Sequence, residues 1–257
     1  MLENCPIADR FTYRVHSAAI DQAQRLTIPA LIRDLQTAAM RNSVRLGFSV
    51  FELEKYQLGW VLLSQRLELL ERPKLEETYE VLTCATGFDR LFTYRDFHLF
   101  NQQGERFGTV ATAWMMLDLQ SRRSTRIPPS IMDGLAPHFP AEEERLPRAK
   151  RLKLSKPVAE GGSGFNPLGF RVGYHQLDFN GHLSNPFYVE WGLEGLPQVL
   201  LAEGDLQSLE IEYKKEAVYG QKLRVQVHEL EENTYLHLLK NEQQEVLAQM
   251  RSSWQKK

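Results

Sequence analysis

Apolar residues recur at helical spacing from about Pro29 to Leu46, where Leu31, Ile32, Leu35, Ala38, Ala39 and Leu46 share a face and Gly47 supplies a stop. An extended entry over residues 10–25 precedes this helix. The period then changes. Leu58–Leu70, Thr78–Phe88, Phe92–Asn101 and Phe107–Leu119 carry strand patterns, with Gly104 marking a hairpin turn between the last two. From about Phe139 to Gly164 the chain turns polar, with Glu142-Glu143-Glu144-Arg145, Lys150-Arg151-Leu152-Lys153 and Gly161-Gly162-Ser163-Gly164 predicting a flexible connection. The pattern then restarts. An extended entry around Phe170–Tyr174 leads to a helix from about Pro186, with Pro197 near its end, and strands follow at Ser208–Val218, Lys222–Leu230, Thr234–Lys240 and Glu245–Trp254. The order strand, helix, strands occurs twice. This predicts an α+β fold of two like modules, residues 1–138 and 166–257, joined by a linker over 139–165.

A direct comparison of the halves sharpens this. Shifted by 157 residues, Arg14–Pro29 lies without a gap on Arg171–Pro186, with Arg14, Val15, Asp21, Leu26 and Pro29 meeting identical residues. The differences fall elsewhere: Ala23 stands where Asn180 stands, and Arg25 where His182 stands. One half keeps the scaffold and lacks the polar groups.

Those groups are Asp178, Asn180 and His182, at alternate positions just ahead of a helix that Asn185 would cap and Pro186 would begin. Free N–H groups and the dipole at a helix start favour negative charge, as would suit an oxyanion in acyl transfer. Each residue also has a plainer reading. Asn180-Gly181 is a common turn pair. Asp178 has a counterpart in the silent half, Asp21, which suits a framework role, and a lone histidine is more often structural. The exchange of His182 for Arg25 favours chemistry.

Composition narrows the class. Of 257 residues 42% are hydrophobic and 25% charged, which are globular values, and a formal net charge of -2 excludes the strongly basic balance of a nucleic-acid protein. The first ten residues lack a basic region followed by an apolar core, and no apolar run approaches a membrane span, so a cytoplasmic protein is expected. Cys5 and Cys84 lie far apart and form no metal or disulfide pattern. There is no glycine-rich phosphate loop and no metal-ligand cluster, so neither cofactor nor metal is expected.

Three segments carry a family likeness. Leu-Asp-Phe-Asn-Gly-His-Leu-Ser-Asn-Pro-Phe-Tyr-Val-Glu-Trp over 177–191 resembles the motif of the plant and bacterial acyl-acyl carrier protein thioesterases. Leu209-Glu210-Ile211-Glu212-Tyr213-Lys214-Lys215-Glu216-Ala217 is similar to that family's Glu-Tyr-Arg-Arg-Glu-Cys element. Gly108–Asp118, with Arg122-Arg123 after it, resembles the end of its first module. The resemblance implies a double hot-dog fold, each module a long helix wrapped by an antiparallel sheet. It also implies release of free fatty acid from the carrier, which ends chain elongation. Asp178, Asn180, His182 and Glu216 would form the catalytic site, and the first module would be a non-catalytic copy holding the acyl chain.

One departure matters: Ala217 stands where many plant members have cysteine, which excludes a cysteine nucleophile there. Water activated by Glu216 or Asp178, or direct attack by Asp178, then remains, with Asn180 donating to the carbonyl oxygen and His182 orienting a carboxylate or moving a proton. Locally, Glu216 shares a predicted strand face with Glu210, Glu212 and Lys214 and would simply face solvent. Trp60, Trp114 and Trp191 suit the core, with Trp60 also a candidate to line the acyl pocket. An acidic carrier protein would meet a basic patch, for which Lys214, Lys215, Arg122 and Arg123 are the candidates. The rivals are an acyl-CoA thioesterase and a non-catalytic acyl-binding module. Acyl length, and pairing of the tandem unit into a homodimer, are left open by the sequence.

Overall fold

Thr27 and Pro29 start the first helix. The Thr27 hydroxyl accepts the Ala30 N–H, and proline sits in the first turn where its missing N–H costs nothing. The helix, α1 (Ile28–Arg45), ends at Gly47, whose φ of +74 suits glycine. The N–H groups of Gly47 and Phe48 turn back to the carbonyls of Val44 and Ser43, closing a Schellman cap. Leu31, Ile32, Leu35, Ala38 and Ala39 are buried as the spacing predicts, Ile28 is buried with them, and Leu46, expected on the same face, is half-buried. Asn42 is buried too. It donates to the Ile7 carbonyl and to Asp9, and accepts from Arg95, so the polar side chain is satisfied.

The computed structural model describes residues 2, 5–89, 91–149 and 168–255, so the predicted linker from residue 150 on, with its basic and glycine-rich runs, lies outside the described residues. The first module runs β1 (Asp9–Arg14), α1, a short α2 (Val50–Glu54), β2 (Leu58–Leu69), β3 (Thr78–Asp89), β4 (Phe92–Asn101), β5 (Arg106–Asp118), β6 (Arg123–Ser124) and α3 (Pro129–Leu135). The second runs β7 (Leu168–Arg171), α4 (Asn185–Glu194), α5 (Gln198–Glu203), β8 (Asp205–Tyr213), β9 (Lys222–Glu231), β10 (Thr234–Asn241) and β11 (Val246–Gln255). All pair antiparallel in one sheet, ordered β1-β3-β4-β5-β2-β8-β11-β10-β9-β7, with β6 on β5. This is the double hot-dog expected of the chain. Among the described residues no helix is long and apolar enough to cross a membrane.

The modules join at the seam of β2 with β8. Arg66 pairs with Glu210 and Leu67 with Leu209 there. A shift of 144 residues takes β3 at Thr78 onto β9 at Lys222, and the same shift takes Arg66 onto Glu210. Equivalent residues therefore face one another, as at the two-fold axis of an isologous dimer. Earlier in the chain the shift is 157, and it takes Arg33 of α1 to Glu190 of α4, which form an ion pair at 3.1 Å. The change of shift falls between the start of the helices and the seam, and most of it is in α1, which has 18 residues against 10 in α4.

Two predicted elements need correction, and two short helices and one meeting of side chains were not foreseen. The helix from Pro186 begins one residue earlier, with Ser184 as its N-cap, and breaks at Gly195–Pro197 into α4 and α5. Proline fixes the backbone of the residue before it outside the helical region. The strand predicted over Ser208–Val218 stops at Tyr213. The short helices α2 and α3 were missed. Finally Cys5 and Cys84, far apart in sequence, have their sulfurs 3.2 Å apart as free thiols, and burial pushes the Cys84 thiol far above its ordinary range.

His237 ties α4 to the second half of the sheet. Its Nδ1–H donates to the Gly192 carbonyl and its Nε2 accepts from Ser252, both at 2.8 Å, while the ring is fully buried. Burial lowers its pKa to about 4. The unfolded chain, near 6.5, then binds the proton that the folded chain refuses. Stability is fully present above about pH 6.5 and falls by roughly 3 kcal/mol as pH drops to about 4. Urea unfolding at pH 7 and pH 5 is expected to show the loss, and a His237→Gln variant to lack that part of it.

Candidate active site

Asp178 builds the turn that presents the other groups. Its Oδ1 accepts the N–H of Asn180 at 2.8 Å and of His182 at 3.1 Å, and its backbone N–H donates to the His182 carbonyl. Gly181 turns the chain at a φ of +78. Asp21 does the same in the first module, accepting from Ala23 and Arg25. The predicted framework role of Asp178 is therefore visible in its bonds, and its Oδ2 remains for chemistry.

After β8 the chain leaves the sheet and crosses the start of α4. Leu183 N–H donates to the Ala217 carbonyl, and Ala217 N–H to the hydroxyl of Tyr188, a buried residue of α4. That hydroxyl lies 3.4 Å from the Lys215 carbonyl. Glu216 is thus held in a loop above α4 rather than on a strand face, with its Oε2 3.1 Å from His182 Nε2. Arg122, from the turn between β5 and β6 of the first module, also bonds this oxygen. Sequence reasoning had placed Arg122 among the docking residues; the structure sets it on Glu216. Tyr188 was missed, since nothing in its local pattern distinguishes it from core. The Asn180 side chain is exposed and makes no side-chain bond among the described residues.

The equivalence of the halves extends to the loop. A shift of 144 residues takes Arg72 onto Glu216, and the bridges Arg25–Lys74 and His182–Val218 correspond. The first module therefore has Ala23, Arg25 and Arg72 where the second has Asn180, His182 and Glu216. Both arginines turn to Asp21, with Arg25 Nε at 3.0 Å and Arg72 at 3.1 Å.

The catalytic candidates open into a cavity of about 660 Å³ whose walls come mostly from the other module. Ala39 and Met40 of α1, Trp60 and Leu62 of β2, and Phe88 and Met115 line it. Trp114, predicted as core, lines it beside Trp60, whereas Trp191 is core as expected. Volume and lining suit a small apolar ligand. Arg95 is the exception in the wall. Buried, it donates to Asn42 and Thr83, and desolvation lowers its pKa to about 10, which leaves it charged at neutral pH. Leu183, Ser184 and Asn185 border the mouth, and Ser184 makes no capping bond, unlike Thr27. In the first turn of α4, Pro186 has no N–H and the Phe187 N–H bonds the Ser184 carbonyl, so the Asn185 N–H is the one left facing the cavity. Lys214 and Lys215 also border the mouth, and Arg122 and Arg123 are exposed. Among the described residues no cluster of His, Cys, Asp and Glu is placed to hold a metal ion.

Comparison with known proteins agrees with this layout. Residues 9–135 match the acyl-ACP thioesterase N-terminal domain, and 143–256 the acyl-ACP thioesterase C-terminal domain. The chain is 26% identical over 221 residues to chloroplastic oleoyl-acyl carrier protein thioesterase 2 of Arabidopsis thaliana, covering 81% of this chain and 60% of that one. It is 25% identical over 263 residues to a chloroplastic acyl-(acyl-carrier-protein) hydrolase of Cuphea viscosissima, covering 98% and 62%. The chain thus spans about three fifths of the length of these curated relatives. A crystal structure of an acyl-ACP thioesterase from Bacteroides thetaiotaomicron superposes with a TM-score of 0.83 at 25% identity, over 99% of this chain and all of that one.

Proposed function

Since the chain belongs to the acyl-ACP thioesterase family, we propose that it hydrolyses the thioester of acyl-acyl carrier protein, releasing a free fatty acid and ending chain elongation. One observation carries this reading: the Asn180, His182 and Glu216 set of the second module opens into the apolar cavity walled by the first. A tail placed in that cavity brings its thioester to the polar groups at the mouth. The division of labour follows, with an N-terminal module over 1–138 holding the chain and a C-terminal module over 166–257 supplying the chemistry.

The geometry favours water as the nucleophile. His182 Nε2–H donating to Glu216 fixes the ring and leaves Nδ1 to accept a proton, and the pair takes one from the attacking water. The Asn180 amide, with the Asn185 N–H at the start of α4, holds the carbonyl oxygen as it gains charge. The departing thiolate takes back the proton held by the pair, so one water is consumed and one acid and one thiol leave. Asp178 keeps the turn in place through Oδ1. Direct attack by its free Oδ2 would form a mixed anhydride, which hydroxylamine would trap at Asp178.

The test is thiol release from a ladder of acyl-carrier-protein substrates beside the same ladder of acyl-CoAs, with His182→Ala in parallel. Faster release from the carrier series, lost in the variant, supports the reading. A preference for acyl-CoA would move the substrate, and binding without release would make the chain an acyl-binding module.

For the carrier, Lys214 and Lys215 offer positive charge at the mouth, with Arg123 exposed next to Arg122 in the chain, although Lys215 already pairs with Glu245 at 2.5 Å. Phe179, Val218 and Tyr219, all exposed, add apolar surface beside the catalytic residues. Reversing Arg123 and Lys215 to glutamate is expected to raise KM for acyl carrier protein roughly tenfold at low salt while leaving kcat within about twofold. The difference should shrink as ionic strength rises.

A further inference from the structure

The acyl cavity ends on two side chains, Phe48 and Leu135, and both also line a second cavity of about 680 Å³. That second cavity lies between the α1–α2 connection, α3 and the N-terminal segment, with Ile7, Leu46, Leu53 and Ile131 among its apolar lining and Glu52, Lys55 and His138 on its polar side. Phe48 and Leu135 are themselves about 5% exposed and belong to one cluster with Leu82, Cys84 and Ala85. They form a partition one side chain thick between two spaces of similar size.

We propose that Phe48 and Leu135 set the upper limit of acyl length, and that the second cavity is the room a longer chain would enter if the partition were removed. This rests on the acyl cavity being the seat of the substrate tail. Three observations support it. Among the described residues, Phe48 and Leu135 are the two that line both cavities, and the backbone at Phe48 is fixed independently of its ring. Phe48 N–H bonds the Ser43 carbonyl and its own carbonyl accepts from Trp60 Nε1 at 3.2 Å, so trimming the ring leaves that backbone held. The second cavity has Ile7, Leu46, Leu53 and Ile131 in its lining, so methylenes entering it would again meet apolar side chains. Leu135 ends α3, a seven-residue helix, and its side chain is the only part of it that borders both cavities.

The experiment measures kcat/KM across the acyl-carrier-protein ladder for the parent, Phe48→Ala, Leu135→Ala and the double variant, with thermal melts to establish folding. The expected result is that the optimum moves to longer chains, with kcat/KM for the first length the parent rejects rising by about tenfold or more. Leu135→Ala serves if the Phe48 variant does not fold. A further Gly134→Phe change in the Leu135→Ala background is expected to reverse the shift, because Gly134 lines the second cavity and an added Cβ meets no atom within 4 Å. Folded variants with the parent's length profile would overturn the proposal, as would a shift that Gly134→Phe leaves untouched. A parent that cleaves no carrier substrate would sink the hydrolase reading instead. In that case the lengths of fatty acid bound by parent and variants, read by native mass spectrometry, decide the partition separately.

Discussion

Glutamine at position 216 is expected to lower kcat by about 10²–10⁴ while KM changes little, because the loss falls on proton transfer rather than on holding the tail. The substitution keeps the shape of the side chain and removes its charge. Glu216 is partly exposed, and its bonds to His182 and Arg122 lie at the mouth rather than in the core. The melting temperature should therefore shift by no more than about 2 °C. A steady-state profile with a matching melt checks both. Near-parent turnover would remove Glu216 from the chemistry and return it to a solvent-facing residue. The contrast with position 178 is informative. Asp178→Ala strips the acceptor from two backbone N–H groups and should disturb the placement of Asn180 and His182 together.

Arg25→Ala is expected to cost about 3–5 kcal/mol of stability, the usual penalty for removing one partner of a buried ionic cluster. At this chain length that corresponds to a fall in melting temperature of roughly 6–20 °C. Arg25 is 6% exposed and reaches into the second module. It donates to Asp205 and to the carbonyls of Leu201, Ala202 and Gly204, the acceptors that α5 leaves open at its C-terminal end. Removing it takes the donor from those carbonyls and from Asp205 at once, and leaves Asp21 with Arg72 as its remaining guanidinium. Differential scanning calorimetry gives the answer, and a loss under about 1 kcal/mol would show that water replaces the guanidinium without difficulty. Arg25→His, which restores the second module's residue, is not expected to create a second site, because Arg72 stands where a glutamate is needed.

The elements most legible in the sequence were those whose side chains alternate against one packed face. β2, β3, β4 and β5 begin and end within a residue of the predicted bounds, since each boundary falls where the alternation meets a turn residue such as Gly104. The repeat was legible only in part. Its shift is 157 before the helices and 144 after them, so a single ungapped comparison paired Arg25 with His182 but never reached Arg72 and Glu216. The end of β8 was hidden for another reason. Tyr213–Ala217 keeps a strand-like pattern, and only the bonds of Tyr188 and Leu183 to Ala217, made across the fold, draw it out of the sheet. The bond of Arg122 to Glu216 was not foreseen, because a surface arginine looks alike in sequence whether it faces a partner or a carboxylate from the other module. The meeting of Cys5 with Cys84 depends on how the N-terminal segment lies across β3, and no local spacing encodes that.

The seam of β2 with β8 also has a consequence for the order in which the chain acquires its activity. The paired residues, such as Arg66 and Glu210, are separated by more than half the chain. Contacts of that separation carry a large loop-closure cost and form late. During synthesis the first module is complete, with most walls of its cavity, well before residue 205 exists to cover the open edge of β2. Until then that edge is a row of unpaired backbone groups available to any other strand. Nascent chains are therefore most exposed to misassociation in the interval between the two halves, and Asn180, His182 and Glu216 can meet the cavity only after residue 216 has been made.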